Sequence, residues 1–189
     1  MIAQVTGTVV RKETNWLIVD VHGVGYRVFV TTYTSNQLSK GALITLSTHM
    51  AVKQDALDLY GFMDDIELIM FEKLLTLPGV GPKSAMGILS TATVETLLHA
   101  ITEEDPAYLT RMAGIGKKSA EKIVQGLKDK VEGIAPSRKS VGRQEEADII
   151  EAIMALGYTM HEARDAVREL PETVVGVELR IKAALKALH

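Results

Sequence analysis

The sequence predicts an α+β multi-domain fold. An N-terminal OB-type β-barrel is followed by a helical domain with two helix-hairpin-helix motifs and a small C-terminal three-helix module. Three observations predict it. Short, alternating apolar segments separated by turn residues fill positions 1–62. The pattern then changes to helical period and carries a duplicated G-x-G phrase. A last acidic stretch, 145–189, shows three more amphipathic faces. The expected boundaries are 1–63 for the barrel, 64–133 for the hairpins, 134–144 for a flexible linker and 145–189 for the last module.

In the first segment, strands are expected at Ile2–Val10, Trp16–Val21, Tyr26–Val30, Ala42–Met50 and Ala56–Tyr60. All are rich in β-branched or aromatic residues or alternate in polarity. Gly7 reads as a bend or bulge within the first. A helical turn is expected at Ser35–Ser39. Five short strands with a helical turn between the third and fourth fit an OB-type Greek-key barrel; an SH3-like barrel is the alternative. His22 and His49 stand alone, with no ligand set around them, so no metal site is expected.

The hairpin domain is organised around an internal repeat. LPGVGPKSAMGIL (77–89) lies over MAGIGKKSAEKIV (112–124). Gly79, Gly81, Lys83, Ser84 and Ala85 match Gly114, Gly116, Lys118, Ser119 and Ala120. Val80 and Ile115 between the glycines are apolar plugs. Glycine permits positive φ and close approach of bare backbone. A helix opening there, with Pro82 at its first position in one copy, points free N–H groups and a lysine at an anion. Such a unit grips DNA through its phosphates without reading bases. Neither copy is a nucleotide P-loop, since no G-x-x-x-x-G-K-[ST] occurs. Lys122 extends the basic face, as do Lys117, Lys128 and Lys130. Each copy alone would be an ordinary turn between packed helices; two copies suit two phosphate runs flanking a minor groove.

Around these, Ile66, Met70, Phe71, Leu74 and Leu75 form one helical face, and Val94, Leu97, Leu98 and Ile101 another. Asp105 and Pro106 read as a cap and a first-turn proline. Residues 132–144 are rich in Gly, Pro and Ser, with Arg138, Lys139 and Arg143 as free bases. Beyond them, three faces follow: Ile149, Ile150, Ile153 and Leu156; Ala163, Ala166, Val167 and Leu170; and Val177, Leu179, Ile181, Ala184, Leu185 and Leu188. An acidic module of about 45 residues has a marginal core. It suits protein docking better than DNA, with Ile153, Leu156 and Tyr158 as candidate docking residues.

The formal net charge of −3 over 189 residues requires any DNA surface to be concentrated on one face. There are no cysteines, hence no disulfide and no thiolate metal site, and a reducing cytoplasm is the expected location. The N-terminus lacks the form of a signal peptide, and no apolar run approaches a membrane span. No cofactor and no catalytic residue is expected.

The chain resembles the RuvA family. The phrases that carry the resemblance are GVGYRVFV (23–30), LSTHMAVKQDALDLYGF (46–62), LPGVGPKSA, AGIGKKSAEKIV and LGY (156–158), in the same order and spanning the whole chain. The hairpin pair alone would be shared with endonuclease, ligase and polymerase families. The resemblance implies a homotetramer, sometimes doubled to an octamer, that holds a four-way (Holliday) junction open on a concave face. It implies paired hairpins on each duplex arm and a UBA-like C-terminal module that contacts the RuvB ATPase. RuvB would drive branch migration in recombination and repair, with the RuvC resolvase sharing the junction and no catalysis in this chain. It also implies a central acidic pin between the last two strands. There Gln54 replaces the first of two adjacent acids and Asp55 remains, so the pin's negative field should be weaker. Ala3 stands where the family commonly has glycine.

Two other classes remain. A hairpin-containing nuclease or ligase accessory subunit would need an acidic metal cluster. The nearest candidates, Asp64, Asp65 and Glu67, sit at a helix start, where capping and the helix dipole explain them. A protein-only scaffold would lose nothing on removal of the hairpin lysines.

Overall fold

In the computed structural model, the structure describes residues 1–131, 134, 149–150, 152–168, 170 and 176–187. Nearly all of the expected linker, with Arg138, Lys139 and Arg143, lies outside these residues, as do Pro171 and Leu188.

The N-terminal strands are β1 (Gln4–Lys12), β2 (Trp16–Val21), β3 (Val24–Phe29), β4 (Leu43–Val52) and β5 (Leu57–Phe62). They close a barrel in the order β1-β2-β3-β5-β4. Only the β3–β5 pair is parallel. Helix α1 (Thr32–Gln37) joins the third and fourth strands, a few residues earlier than expected. This is the OB arrangement. Its interior is filled by alternating side chains of each strand, Val5, Val9, Leu17, Val19, Val28, Ile44, Leu46 and Leu59 among them.

One expectation for β1 is corrected. The β1–β2 register shifts between Val9 and Arg11, so the bulge lies beyond Gly7. Gly7 is instead a point of close approach. A Cβ built there would stand 2.2 Å from the Asp20 carbonyl oxygen.

The helical domain holds α2 (Asp65–Leu75), α3 (Pro82–Thr91), α4 (Val94–Thr102), α5 (Pro106–Ala113) and α6 (Lys117–Leu127). Asp64 caps α2 by accepting from the Ile66 N–H (3.0 Å), and Asp105 caps α5 by accepting from the Tyr108 N–H (3.1 Å). Asp65 accepts instead from the Ser47 hydroxyl at 2.5 Å, tying α2 to the barrel. Leu77, Ile101, Leu109, Ile123 and Leu127 fill the helical core.

The barrel and the helices share that core. Tyr60 and Phe62, strand residues, are buried in it. Phe29 stacks on Tyr60 and Tyr60 on Phe71, each pair 5.4 Å between ring centres. His49 meets the Phe71 ring edge-on and places Nδ1 3.0 Å from a Glu72 carboxylate oxygen. The chain changes from strand to helix near residue 63, but the packing does not divide there.

In the C-terminal module, residues 149–150 and 152–155 are helical, followed by α7 (Met160–Arg168) and α8 (Val177–Ala187). A reciprocal box opens α7. The Thr159 N–H and hydroxyl donate to Glu162 (2.8 and 2.7 Å), and the Glu162 N–H donates back to the Thr159 hydroxyl (3.3 Å). Ile149, Ile153, Ala163, Ala166, Val167 and Ala184 make a small core. Leu179, which falls on the expected third apolar face, is 59% exposed, and Leu156, on the first face and an expected docking residue, is 62% exposed. The helical run ends at residue 155, and Leu156 lies in the turn that Gly157, with φ of 101°, completes.

Candidate nucleic-acid interface

Each hairpin uses its two glycines differently. Gly79 and Gly114 adopt φ of 72° and 65°, the left-handed region that favours glycine. Gly81 and Gly116 have ordinary negative φ and serve as the N-caps of α3 and α6. A Cβ on either would meet nothing within 4 Å. The first glycine therefore makes the turn, and the second leaves bare backbone facing open space. Between them, Ile115 is buried and Val80 packs against the same core. The buried Ile115 side chain anchors its loop, and the half-buried Val80 does so in part.

Neither α3 nor α6 has a side-chain cap. In α3 the first ladder bond runs from the Ala85 N–H to the Gly81 carbonyl (3.0 Å). The Lys83 and Ser84 N–H groups have no partner within the helix. Pro82 has no N–H to lose. In α6 the Ser119 N–H already donates to the Gly116 carbonyl (2.9 Å), so Ser119 offers only its hydroxyl. The Lys117 and Lys118 N–H groups take the outward role. Both helix ends thus carry unpaired donors, partial positive charge and a lysine, the ingredients of a phosphate site.

Between the hairpins lies an open cleft of about 380 Å³. Gly79, Val80, Ser84, Gly114, Ile115, Ser119 and Lys122 line it together with Gly87, Ile88, Thr91 and Ile123. Gly81, Lys83, Gly116 and Lys118 are not part of the lining. Lys122 belongs to the second hairpin's helix, yet its Nζ stands 3.4 Å from the Cβ position of Gly79 in the first. Gly126 permits this closeness, since a Cβ there would lie 2.3 Å from Leu77 Cδ2. Gly87 and Gly126 were not among the expected site residues. A glycine inside a helix, costly in isolation, is the signal that could have found them.

The basic series splits in two. Lys128 pairs with Glu104 at 2.6 Å, which raises its pKa, and Lys130 donates to the Thr76 hydroxyl at 3.0 Å. Both fasten the ends of helices. Lys83, Lys117, Lys118 and Lys122 are exposed, with no hydrogen bond or ion pair among the described residues.

Comparison with known proteins agrees with this order of parts. Residues 1–61 match a family model described as RuvA N terminal domain, 71–129 a SAM-like helix-hairpin-helix tandem, and 144–189 the RuvA C-terminal domain. A protein of Albidiferax ferrireducens named Holliday junction branch migration complex subunit RuvA is 41% identical over 189 residues, covering 100% of this chain and 99% of the relative. The chain belongs to the RuvA family. Relatives of the same name from Alkaliphilus oremlandii and a Marinomonas species are each 39% identical over all of this chain and 99% and 98% of theirs.

Two further groups of expected residues lie away from the hairpins. Asp55, the expected pin residue, is exposed at the tip of the β4–β5 hairpin. The neighbouring Lys53 is held by Asp58 at 2.8 Å, an interaction that raises its pKa. Lys53 is thus matched by its own acid. The strand ends that carry the loop, Val52 and Leu57, are paired and both exposed. Of the expected RuvA docking residues, Leu156 is exposed, Tyr158 packs in part against the module's core and Ile153 is fully buried. Ile153 supports the surface from beneath and does not form it. Among the described residues, no group of three or more acidic or histidine side chains could hold a metal ion, and no helix is long and apolar enough to cross a membrane.

Proposed function

We propose that this chain binds four-way junction DNA as a homotetramer, holds it open, and recruits the RuvB ATPase for branch migration. The observation that carries the reading is the pair of uncapped helix N-termini, each with a lysine, beside one cleft that Ser84, Ser119 and Lys122 line. That arrangement fits two phosphate runs of a duplex and offers nothing to discriminate bases. The relatives' printed name, a Holliday junction branch migration complex subunit, supports a role at junction DNA within a complex. The exposed Val52 and Leu57 around the Asp55 loop suit contact between copies about a four-fold axis, with Asp55 as the pin. Leu156 and Tyr158 are the proposed docking pair for RuvB, and RuvC is the proposed co-occupant of the junction.

Native mass measurement with and without a synthetic four-way junction tests assembly. Four copies per junction, or eight, are expected; a monomer bound to DNA contradicts the proposal. Ending the chain at Gly133 should preserve junction binding and abolish stimulation of RuvB. Branch migration by the shortened chain would remove the docking role from residues 145–189.

A further inference from the structure

The two hairpins are held at one spacing. Leu77 opens the first hairpin, and the Val80 N–H donates to its carbonyl (3.1 Å), closing the turn. The buried Leu77 side chain meets α6, the helix of the second hairpin, at Gly126. A Cβ on Gly126 would overlap Leu77 Cδ2. The α6 backbone thus comes closer to the first turn than a side chain there would allow. Lys122 lies four residues earlier on the same face of α6 and brings its Nζ to the Gly79 turn. Leu77, Ile115, Ile123 and Leu127 belong to one buried core. The hairpins cannot separate without opening that core.

A fixed, close pair of phosphate sites measures groove width. B-form DNA has a minor groove about 6 Å wide. An A-form RNA duplex has a wide, shallow one that displays 2′-hydroxyls. Here a single lysine side chain spans the gap between α6 and the first turn, which suits the narrow groove. The cleft wall agrees. Val80, Ile88, Ile115 and Ile123 give it apolar surface. The Thr91 hydroxyl donates within its own helix, to the Ile88 carbonyl (3.0 Å). A 2′-hydroxyl pressed against that wall would lose water without gaining equal partners.

We infer that the hairpin pair is a gauge for duplex form, with Gly126 as the positioning residue that sets its width. It accepts the narrow minor groove of B-form DNA and rejects A-form RNA. Both phosphate runs of a DNA arm meet their helix ends together; on RNA one hairpin engages at a time. The gauge rests on the reading that these hairpins grip a duplex; it does not require a four-way junction.

Four-way junctions and linear duplexes of one sequence, made in DNA and in RNA, test it by gel-shift titration across a salt series. DNA should be favoured about tenfold or more, the worth of one charge-assisted hydrogen bond lost with the second hairpin. The slope of log affinity against log salt on RNA should be about half that on DNA, because half the phosphate contacts form. Gly126→Ala should push the hairpins apart and shrink the DNA-to-RNA ratio severalfold. Adding Leu77→Val removes the clashing δ carbon and should restore the ratio, with a thermal melt reporting the fold of each variant. Equal affinity and slope for DNA and RNA overturn the gauge and leave the junction reading standing. An unchanged ratio in folded Gly126→Ala overturns the role of Gly126. If linear DNA is preferred to RNA but the four-way junction is held no better than linear DNA, the junction reading fails and the gauge stands.

Discussion

Lys122 Nζ lies 3.4 Å from the position a Cβ on Gly79 would take, although the two residues belong to different hairpins. The ammonium group of one hairpin therefore serves the turn of the other. A phosphate bound at the first hairpin would feel Lys83 from its own helix and Lys122 from its neighbour's.

Gly79→Ala and Gly81→Ala should differ. At Gly79 the left-handed φ costs an alanine about 1–2 kcal/mol, and the new methyl would touch Lys122 Nζ at ordinary contact distance. Both stability and junction affinity should fall. At Gly81 the backbone is unstrained and the space is open, so stability should stay within about 0.5 kcal/mol. Junction affinity should still fall, because the methyl stands where a phosphate would approach. Thermal melts beside gel-shift titrations separate the two; full affinity in Gly81→Ala would exclude close backbone contact there.

Lysine replacements should sort by partner. Lys83→Ala, Lys118→Ala and Lys122→Ala should each reduce the slope of log affinity against log salt by about 0.9, equally for every junction sequence. Lys128→Ala and Lys130→Ala should leave the slope unchanged, since their heads are held by Glu104 and Thr76. A change in sequence preference at constant slope contradicts phosphate gripping.

Asp55→Asn removes an exposed loop charge at nearly constant shape. Like charges gathered about an axis repel, and they also repel phosphate. Junction binding should tighten and discrimination against plain duplex should weaken. Gln54→Glu should do the reverse. Equal junction-to-duplex ratios in both variants would make Asp55 an ordinary solvated acid.

In the C-terminal module, Leu156→Ala and Ile153→Ala should part ways. Leu156 is exposed, so its loss should weaken RuvB binding and leave the fold intact. Ile153 is buried, and truncation should cost the module about 2–5 kcal/mol. Helical content measured beside RuvB binding distinguishes surface from support.

The Thr159–Glu162 box should give α7 a dependence on acid. Hydrogen bonds from Thr159 hold the Glu162 carboxyl below its ordinary pKa. A lowered folded value means that the contribution is present above the unfolded pKa. It is lost as pH falls through the folded one. Helical signal should therefore decline at and below the ordinary glutamate range, and Glu162→Gln should flatten that decline. Identical acid profiles for the two proteins would show that the box does not stabilise α7.

Much of this was legible in the sequence because it is local. Strand alternation, the change to helical period, Asp105 before Pro106, and the two G-x-G phrases each depend on residues within a turn or two. They determined the order of elements, the OB-type barrel and the inward plugs Val80 and Ile115. The Thr159-x-x-Glu162 box is equally local, formed within a single turn at the start of α7.

Tertiary structure decided what depends on which elements become neighbours. Asp20 lies across from Gly7 only once β2 pairs with β1, which makes that glycine a clearance and places the bulge beyond it. Tyr60 and Phe62 alternate like barrel residues, but α2 packs on their face and draws them into the helical core. Leu156 and Leu179 fit a helical stripe, yet a core that small cannot bury every residue of each stripe. Lys122 over Gly79, and Gly126 against Leu77, join residues far apart in the chain. No period or spacing records such pairs, because they form only when separate helices come together.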